Sequence, residues 1–466
     1  MSERELLWSS EEAAEATDGS SPVEWSAFGV SIDTRSLEPG DLFVALNGEN
    51  RDGHEFVPAA LDKGAAAALV SRVLKDLGSD APMLLVGDTQ HGLEALGRAS
   101  RARSAARIVA VTGSAGKTTT KEMLKLMLAG AGPVAASAAS YNNHWGVPLS
   151  LARMPRSSAF GVFELGMNHE GEIRSLVKQV RPHVAVITTI APAHLEYFGN
   201  LEAIADAKAE IFEGIEVGGA AILPADNSQF ERLKKLAQDT RVSRVLSFGR
   251  AESADARLLS TRVHESGQEV TAEIAGERVV FGIGAPGTHI AMNATASLLA
   301  VRELGVDVRR AAPLLEQFSA LKGRGARFAA GGVEIIDESY NANPASMAAA
   351  LDLLGSVQPG PQGRRIAVLG DMLELGPQSA ALHESLAGPI ASAHADLVFL
   401  CGPQMAFLWR VLPEKCRGAY ASKSAELALL VADVVRASDV VLVKGSFGSR
   451  MTAIIDALKA RESAAA

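Results

Sequence analysis

A chain of 466 residues, 47% hydrophobic and 21% charged, is too long for one ordinary core and has the balance of a globular protein of about three domains. Its formal net charge of -9 gives no electrostatic case for nucleic acid or an acidic membrane as partner. Two cysteines, Cys401 and Cys416, are too few for a disulfide framework. The acidic start MSERELLWSSEEAAEA lacks a signal core and no run approaches the roughly 20 apolar residues that span a bilayer, so a cytoplasmic protein without membrane insertion is expected.

The first hundred or so residues contain GVSIDTRSLEPGDLFVALNGENRDGHEFVPAALDKGAAAALV, short β-type runs broken by Pro39-Gly40, Asn47-Gly48 and Asp52-Gly53. They predict a small α/β unit. Asp33, Thr34 and Arg35 end a strand at a turn, where binding residues often sit, although a solvated turn has the same spacing. An Ala/Arg-rich helical stretch from Leu93 to Ala105 closes the unit, which places a boundary at 105/106.

The stretch RIVAVTGSAGKTTTKEMLKLML follows, from Arg107 to Leu128. Ile108, Val109 and Val111 suit a buried parallel strand, while Thr120, Met123, Leu124 and Met127 recur on one helix face. Between them, Gly113, Ser114, Ala115, Gly116, Lys117, Thr118 and Thr119 make a glycine-punctuated turn into a helix N-terminus, which aims backbone N–H groups and a dipole at an anion. Lys117 adds a cation and the Thr118 hydroxyl a magnesium ligand. The usual signature has four residues between its glycine and Gly-Lys; here Gly113 and Gly116 enclose two, so the strict motif is not met.

As far as about Gly323, apolar runs alternate with helical patterns: FGVFELG, then Ile173, Leu176, Val177 and Val180 on one helix face, then HVAVITTI. That rhythm predicts a mostly parallel sheet with crossover helices. From Leu258 to Ile283 the pattern alternates every two residues around turns at Ser266-Gly267 and Ala275-Gly276, which predicts an antiparallel hairpin insert. Helices from His289 to Leu304 and from about Asp307 to Leu321 complete this domain. The segment from 324 onward, through GGVEIIDESYNANP, RRIAVLGDM, ADLVFLCG and SDVVLVKGS, predicts a Rossmann-like open sheet. Its strand ends at Asp337, Gly370-Asp371, Gly402 and Lys444-Gly445 line the edge where such sheets bind ligands.

Several residues carry candidate chemistry. Glu164, at the end of FGVFELG, is placed to hold magnesium through oxygen, with a salt-bridged glutamate as the plain alternative. His194, just past HVAVITTI, points to the same edge. Lys208 shares a helical stripe with Ile204, Ile211 and Ile215; spacing favours an amine that snorkels to water, and the sharper alternative is a buried, neutral amine that reacts with carbon dioxide and ligates a second metal. Asn293 could read a purine edge. Arg324 and Asp337 lie just across the boundary, able to reach a γ-phosphate and a ribose hydroxyl, or to be a linker charge and a helix cap.

In this order, VTGSAGKTTTKEM, FELGMN, AHLEYFG, DAKAEIF and HIAMNATASLLA resemble the motifs of the Mur ligase superfamily, ATP-dependent amide-forming enzymes of peptidoglycan precursor synthesis, over nearly the whole chain. The resemblance implies ATP and two Mg2+ ions, a shortened phosphate loop, Glu164 and Thr118 as magnesium ligands, and His194 with a carbamylated Lys208 at the second ion. It also implies Asn293 beside adenine, Arg324 and Asp337 as C-terminal nucleotide contacts, and Lys117, Lys208, His194 and Arg324 as the catalytic set. DTRSLEPGDLFVALNGENRDGHEF, YNNHWGVPLSL, DESYNANPASM and GDMLELG most resemble the branch that joins D-alanyl-D-alanine to UDP-N-acetylmuramoyl-tripeptide. Neither the Asp-Asn-Pro-Arg motif of the diamino-acid-adding branch nor the Asp-Gly-Ala-His-Asn-Pro loop of folylpolyglutamate synthases is present. By this resemblance residues 1–105 bind the UDP end through Asp33, Thr34 and Arg35, residues 106–323 are the ATPase, and residues 324–466 bind the dipeptide through Asn341, Asn343 and Asp371. Asn142 and Asn143 would contact the sugar region, and a monomer is expected. Two positions depart from the pattern: Phe447 in KGSFGSRM stands where relatives commonly have arginine, with Arg450 three residues on, and Thr189 where many have asparagine. The alternatives are another amide ligase of the superfamily or a nucleotide-dependent regulatory module.

Overall fold

Hydrophobic runs too short and too uniformly apolar for surface strands are buried in three successive sheets. The computed structural model describes residues 4–48, 50–78, 80–138, 140–264 and 266–465. The first sheet is four-stranded and parallel, in the order Gly29–Ser31, Asp41–Val44, Ala67–Val70, Met83–Leu85. Asp41–Val44 and Ala67–Val70 are buried along their whole length, as strands covered on both faces must be. The helix expected from Leu93 begins earlier and spans Thr89–Arg103, because Asp88 caps it by accepting the His91 N–H at 2.8 Å. That helix packs on Gly146–Ala152 of the next unit, where a Cβ on Gly97 would stand 3.1 Å from the Pro148 carbonyl. The Trp8 indole N–H donates to the Ala152 carbonyl at 2.9 Å, and Arg153 reaches back to Val30 O, so the first two units are docked firmly.

The second sheet has nine strands. The first six, all parallel, run in the order Val134–Ala136, Phe160–Glu164, Arg107–Thr112, Val184–Ile187, Ala220–Pro224, Arg244–Gly249. The expected antiparallel insert is present as a three-stranded meander, Ala256–His264, Gly267–Ile274 and Glu277–Ile283, and it continues the same sheet. Val270, Ala272, Ile274, Phe281 and Ile283 belong to the core on the face that the helix Thr288–Glu303 covers, and an isolated hairpin would leave that face in water. Ala275 and Gly276 both have positive φ (48° and 83°), the two-residue turn whose twist suits adjoining antiparallel strands. The last expected helix of this domain is also shorter: Val308–Ala311 tightens into a 3₁₀ segment, Ala312–Gln317, since Pro313 has no N–H to continue the α ladder.

In the third sheet the order is Ala326–Ala330, Val333–Glu338, Val440–Lys444, Arg365–Gly370, Leu397–Cys401, Arg417–Ala421, all parallel except the antiparallel edge strand Ala326–Ala330. Cores lie on both of its faces, which is the open, Rossmann-like arrangement expected. Each sheet thus presents its strand C-termini as an edge, and those of the second and third sheets meet.

One turn of the first unit ties its stability to pH. His54 is buried, with Nδ1 2.6 Å from Asp52 Oδ1 and Nε2 accepting the Ser71 N–H at 2.9 Å. Burial alone would raise the Asp52 carboxyl, but the His54 N–H, the Arg72 guanidinium and the His54 ring outweigh it and bring it from 3.8 to about 2. A depressed carboxylate contributes stability that is complete above about pH 4 and vanishes as pH falls through about 2. Asp52→Asn should therefore cost on the order of 1–2 kcal/mol near neutral pH, with the gap to wild type closing toward pH 2. Hydrogen exchange of Ala67–Val70 reads it; a gap that does not change with pH would refute the account.

Candidate active site

Three adjacent parallel strands bring the candidate residues to one edge. Arg107–Thr112 lies between Phe160–Glu164 and Val184–Ile187, so the phosphate loop, Glu164 and Thr188 emerge side by side. The loop is held by the neighbouring strand end. The Thr188 hydroxyl stands 2.5 Å from Ala115 O and 3.2 Å from Thr112 O, the Ser114 N–H donates to Thr189 O at 2.9 Å, and Ser114 Oγ exchanges two 3.0 Å bonds with the Ala191 backbone. Gly113 must be glycine, because a Cβ there would fall 1.9 Å from Thr188 Oγ1. Gly116 has φ 82° at the start of the helix Lys117–Ala129, and a Cβ there would stand 2.9 Å from Asn293 Nδ2. Asn293 is thus packed against the phosphate loop.

Around the loop the charged side chains gather, with more cations than carboxylates. Lys117 Nζ donates to Gly113 O at 2.9 Å; burial pulls its pKa down, Glu164 raises it and Arg324 lowers it. Glu164 is buried, accepting from the Thr118 hydroxyl on Oε2 and from Asn142 Nδ2 on Oε1, both at 2.7 Å. These are hard oxygen donors, the set that magnesium takes. His194 Nδ1 lies 2.6 Å from Glu374 Oε2, a carboxyl that the histidine hydrogen bond holds below its ordinary range against the effect of burial. That contact occupies Nδ1 and leaves Nε2 as the ring nitrogen without a hydrogen-bond partner among the described residues. Lys208 is 2% exposed and forms no hydrogen bond or ion pair among the described residues. Burial first, then the charge of Lys117, pushes its pKa well down. The snorkelling that spacing favoured is corrected: Ile204, Ile211 and Ile215 are buried in one core around its helix, and the stem has no path to water.

The third unit closes over this edge. Arg324 donates to Ser140 Oγ at 3.1 Å and stacks 3.8 Å over the Tyr340 ring, whose hydroxyl also reaches Ser140 at 3.0 Å. Asn343 caps the helix Pro344–Ser356 and donates from Nδ2 to Ser114 O at 3.0 Å. The cleft between them, of about 580 Å³, is lined by residues of both units, among them Lys117, Glu164, His194, Asn293, Arg324 and Asn341.

Three family models match the chain: "Mur ligase family, catalytic domain" over residues 28–125, "Mur ligase middle domain" over 111–301 and "Mur ligase, glutamate ligase domain" over 323–447. A UDP-N-acetylmuramoyl-tripeptide–D-alanyl-D-alanine ligase of Rickettsia prowazekii is 35% identical over 92% of this chain and 94% of its own length. One of Escherichia coli is 36% identical over 92% and 93%. The chain belongs to the Mur ligase family. A crystal structure of MurF from Acinetobacter baumannii superposes on this Mur ligase with a TM-score of 0.86, at 30% identity over 97% of this chain and 99% of that one. A Thermotoga maritima MurF in complex with ADP superposes with a TM-score of 0.79 at 28% identity, over 94% and 98%.

Other candidate residues of this Mur ligase face away from the cleft. Asp337 is buried and saturated, accepting the Gly323 N–H at 3.0 Å and both the N–H and hydroxyl of Ser339, so it shapes the turn that aims Arg324. Asp371, pushed up by burial, accepts the N–H groups of Gln404 and Met405. Asn143 accepts the N–H groups of Trp145 and Gly146. Asp33 is engaged by its own neighbour, Arg35, and Thr34 O by Lys63; this turn lies apart from the cleft. Sequence reasoning missed Thr188, Ser140, Tyr340 and Glu374. Thr188 had a signal, as the first polar residue after a strand that neighbours the phosphate loop. Ser140–Tyr340 and His194–Glu374 join residues 200 and 180 positions apart and had none.

Gly116→Ala should raise the dissociation constant for ADP at least tenfold while the fold is kept, since the added methyl meets Asn293 and strains a left-handed residue. Calorimetric titration checks it; unchanged affinity would mean that the loop does not carry the nucleotide.

Proposed function

We propose that this Mur ligase joins D-alanyl-D-alanine to UDP-N-acetylmuramoyl-tripeptide with ATP, releasing ADP and phosphate, in cytoplasmic peptidoglycan precursor synthesis. The observation that carries the reading is a phosphate loop with buried Glu164 on one wall of the cleft and Arg324 on the other. Curated ligases of that reaction match the chain over nearly its whole length.

A carboxylate is a poor electrophile, so the terminal carboxylate of the tripeptide attacks the γ-phosphorus of ATP; an O–P bond forms, the P–O bond to ADP breaks with its electron pair on ADP, and an acyl phosphate remains. Lys117, the N–H groups of the loop and Arg324 offset the charge of the two approaching anions. The dipeptide amine then attacks the acyl carbon, the C–O bond to phosphate breaks with its electron pair, and the nitrogen loses a proton. Contacts from Asn343 and Arg324 to the opposite wall keep water from the acyl phosphate.

Thr118 and Glu164 would hold magnesium, which when bound supplies positive charge at the phosphates. Among the described residues no group of three or more His, Cys, Asp or Glu side chains could hold an ion, so a second Mg2+ at His194 needs another anionic oxygen. We assign it to a carbamate on Lys208, formed when its neutral amine adds to carbon dioxide and loses a proton; the apolar burial and lack of partners support this. Residues 1–105 hold the UDP end, through Asp33, Thr34 and Arg35, residues 106–323 the nucleotide, and residues 324–466 the dipeptide, with Asn341 and Asn343 in reach. The cleft is complete within one chain, so a monomer suffices. No described helix is long and apolar enough to cross a membrane.

Phosphate release from ATP and UDP-N-acetylmuramoyl-tripeptide should become steady and fast only when D-alanyl-D-alanine is added. Dependence on a single amino acid instead would refute the dipeptide assignment. Lys208→Ala should lower turnover roughly 10–100-fold, with activity returning on addition of formate or acetate. Full activity without rescue would dispose of the carbamate.

A further inference from the structure

One turn beyond the phosphate loop is a buried cation that the chemistry above does not use. Lys121 is 0% exposed, on the same helix as Lys117 and Thr118. Spacings of four and three residues put all three on one side of that helix. Lys121 Nζ donates to Ser137 O at 2.8 Å and pairs with Glu122 Oε1 at 2.8 Å. Burying an ammonium is costly, and a methionine would fill the same space without that cost, so the donors and not the packing account for a lysine.

Ser137 directly follows the short strand Val134–Ala136, and from there to Asn142 the chain carries contacts of the site. Ser137 Oγ accepts the Glu164 N–H at 3.3 Å, and Asn142 Nδ2 donates to Glu164 Oε1 at 2.7 Å. Ser140 Oγ meets Arg324 Nη2 at 3.1 Å and the Tyr340 hydroxyl at 3.0 Å. Asn142 is gripped from its far side as well: its carbonyl accepts the Gly166 N–H at 2.8 Å, and a Cβ on Gly166 would stand 2.9 Å from Asn142 Cγ. Glu164 and the landing point of the third unit thus depend on one short stretch whose start is tied to Lys121. We propose that Lys121 is a positioning residue for this reaction: through Ser137 it fixes the stretch that orients Glu164 and presents Ser140 to Arg324. The helix that carries Lys117 and Thr118 to the phosphates then also sets where the third unit closes. The inference rests on the reaction proposed above.

Lys121→Met tests this in the full-length enzyme. With saturating ATP, UDP-N-acetylmuramoyl-tripeptide and D-alanyl-D-alanine, kcat should fall about tenfold or more. The dissociation constant for ADP without magnesium should stay within about twofold, because residues 188–191 hold the phosphate loop from its other side. Lys121→Arg should recover part of the loss. In a cycle with Ser140→Ala, the double variant should fall no more than about twofold below the worse single one, as two changes in one chain of contacts do. Hydrogen exchange at Asn142, Glu164 and Gly166 should quicken in Lys121→Met, and that at Val109 and Val186 in the neighbouring strands should not. An unchanged kcat, losses that multiply in the double variant, or exchange that quickens at all these positions alike overturns the proposal and leaves Lys121 a core residue only. Lys121→Gln, which keeps an N–H donor, replaces a methionine variant that does not fold, with the same pattern expected in smaller measure. A wild type whose phosphate release ignores D-alanyl-D-alanine overturns the reaction instead; the exchange and ADP measurements do not depend on it.

Discussion

The Thr188 hydroxyl, and the space that Gly113 leaves for it, hold the phosphate loop in shape. A loop with two residues between its glycines has few internal bonds with which to keep its N–H groups convergent, and here the bonds come from residues 188–191, just past the end of the neighbouring strand. Parallel pairing of Val184–Ile187 with Arg107–Thr112 makes this possible, because it puts both strand ends at the same height. Shortness of the loop and dependence on its neighbour are one property.

From that anchor the rest of the site follows by adjacency. Glu164 ends the strand on the other side and meets Thr118 through a direct hydrogen bond, while Asn293 comes from a helix that crosses above and fills the space beside Gly116. Lys208 is buried nearby with no partner among the described residues, and no cation is stable there without compensation. Closure then adds what the central sheet lacks. Asn343 bonds the loop itself, at Ser114, and Arg324 and Tyr340 converge on Ser140, so the third unit meets the anion site through side chains.

The third unit uses its acids in a way that spacing alone misjudged. Asp337 and Asp371 both end strands at the edge where ligands bind, and both are consumed by backbone N–H groups. A strand-end carboxylate beside a helix start or a turn has unpaired N–H donors within reach, and these satisfy it before any ligand does. What they hold in place, Arg324 and the loops of residues 371–374 and 402–405, is what faces the cleft or its mouth.

Local sequence determined the strands, the phosphate loop with its helix, and the strand-end position of Glu164, because two-residue and 3.6-residue periodicities and glycine placement are properties of short segments. The motif order carried the family. Tertiary structure alone decided that the alternating stretch after Leu258 extends the central sheet, that Lys208 has no route to water, and that His194 is oriented by Glu374. Each of these depends on which surface covers a segment, and that surface is supplied by residues far away in the chain, whose distance in sequence leaves no periodic trace.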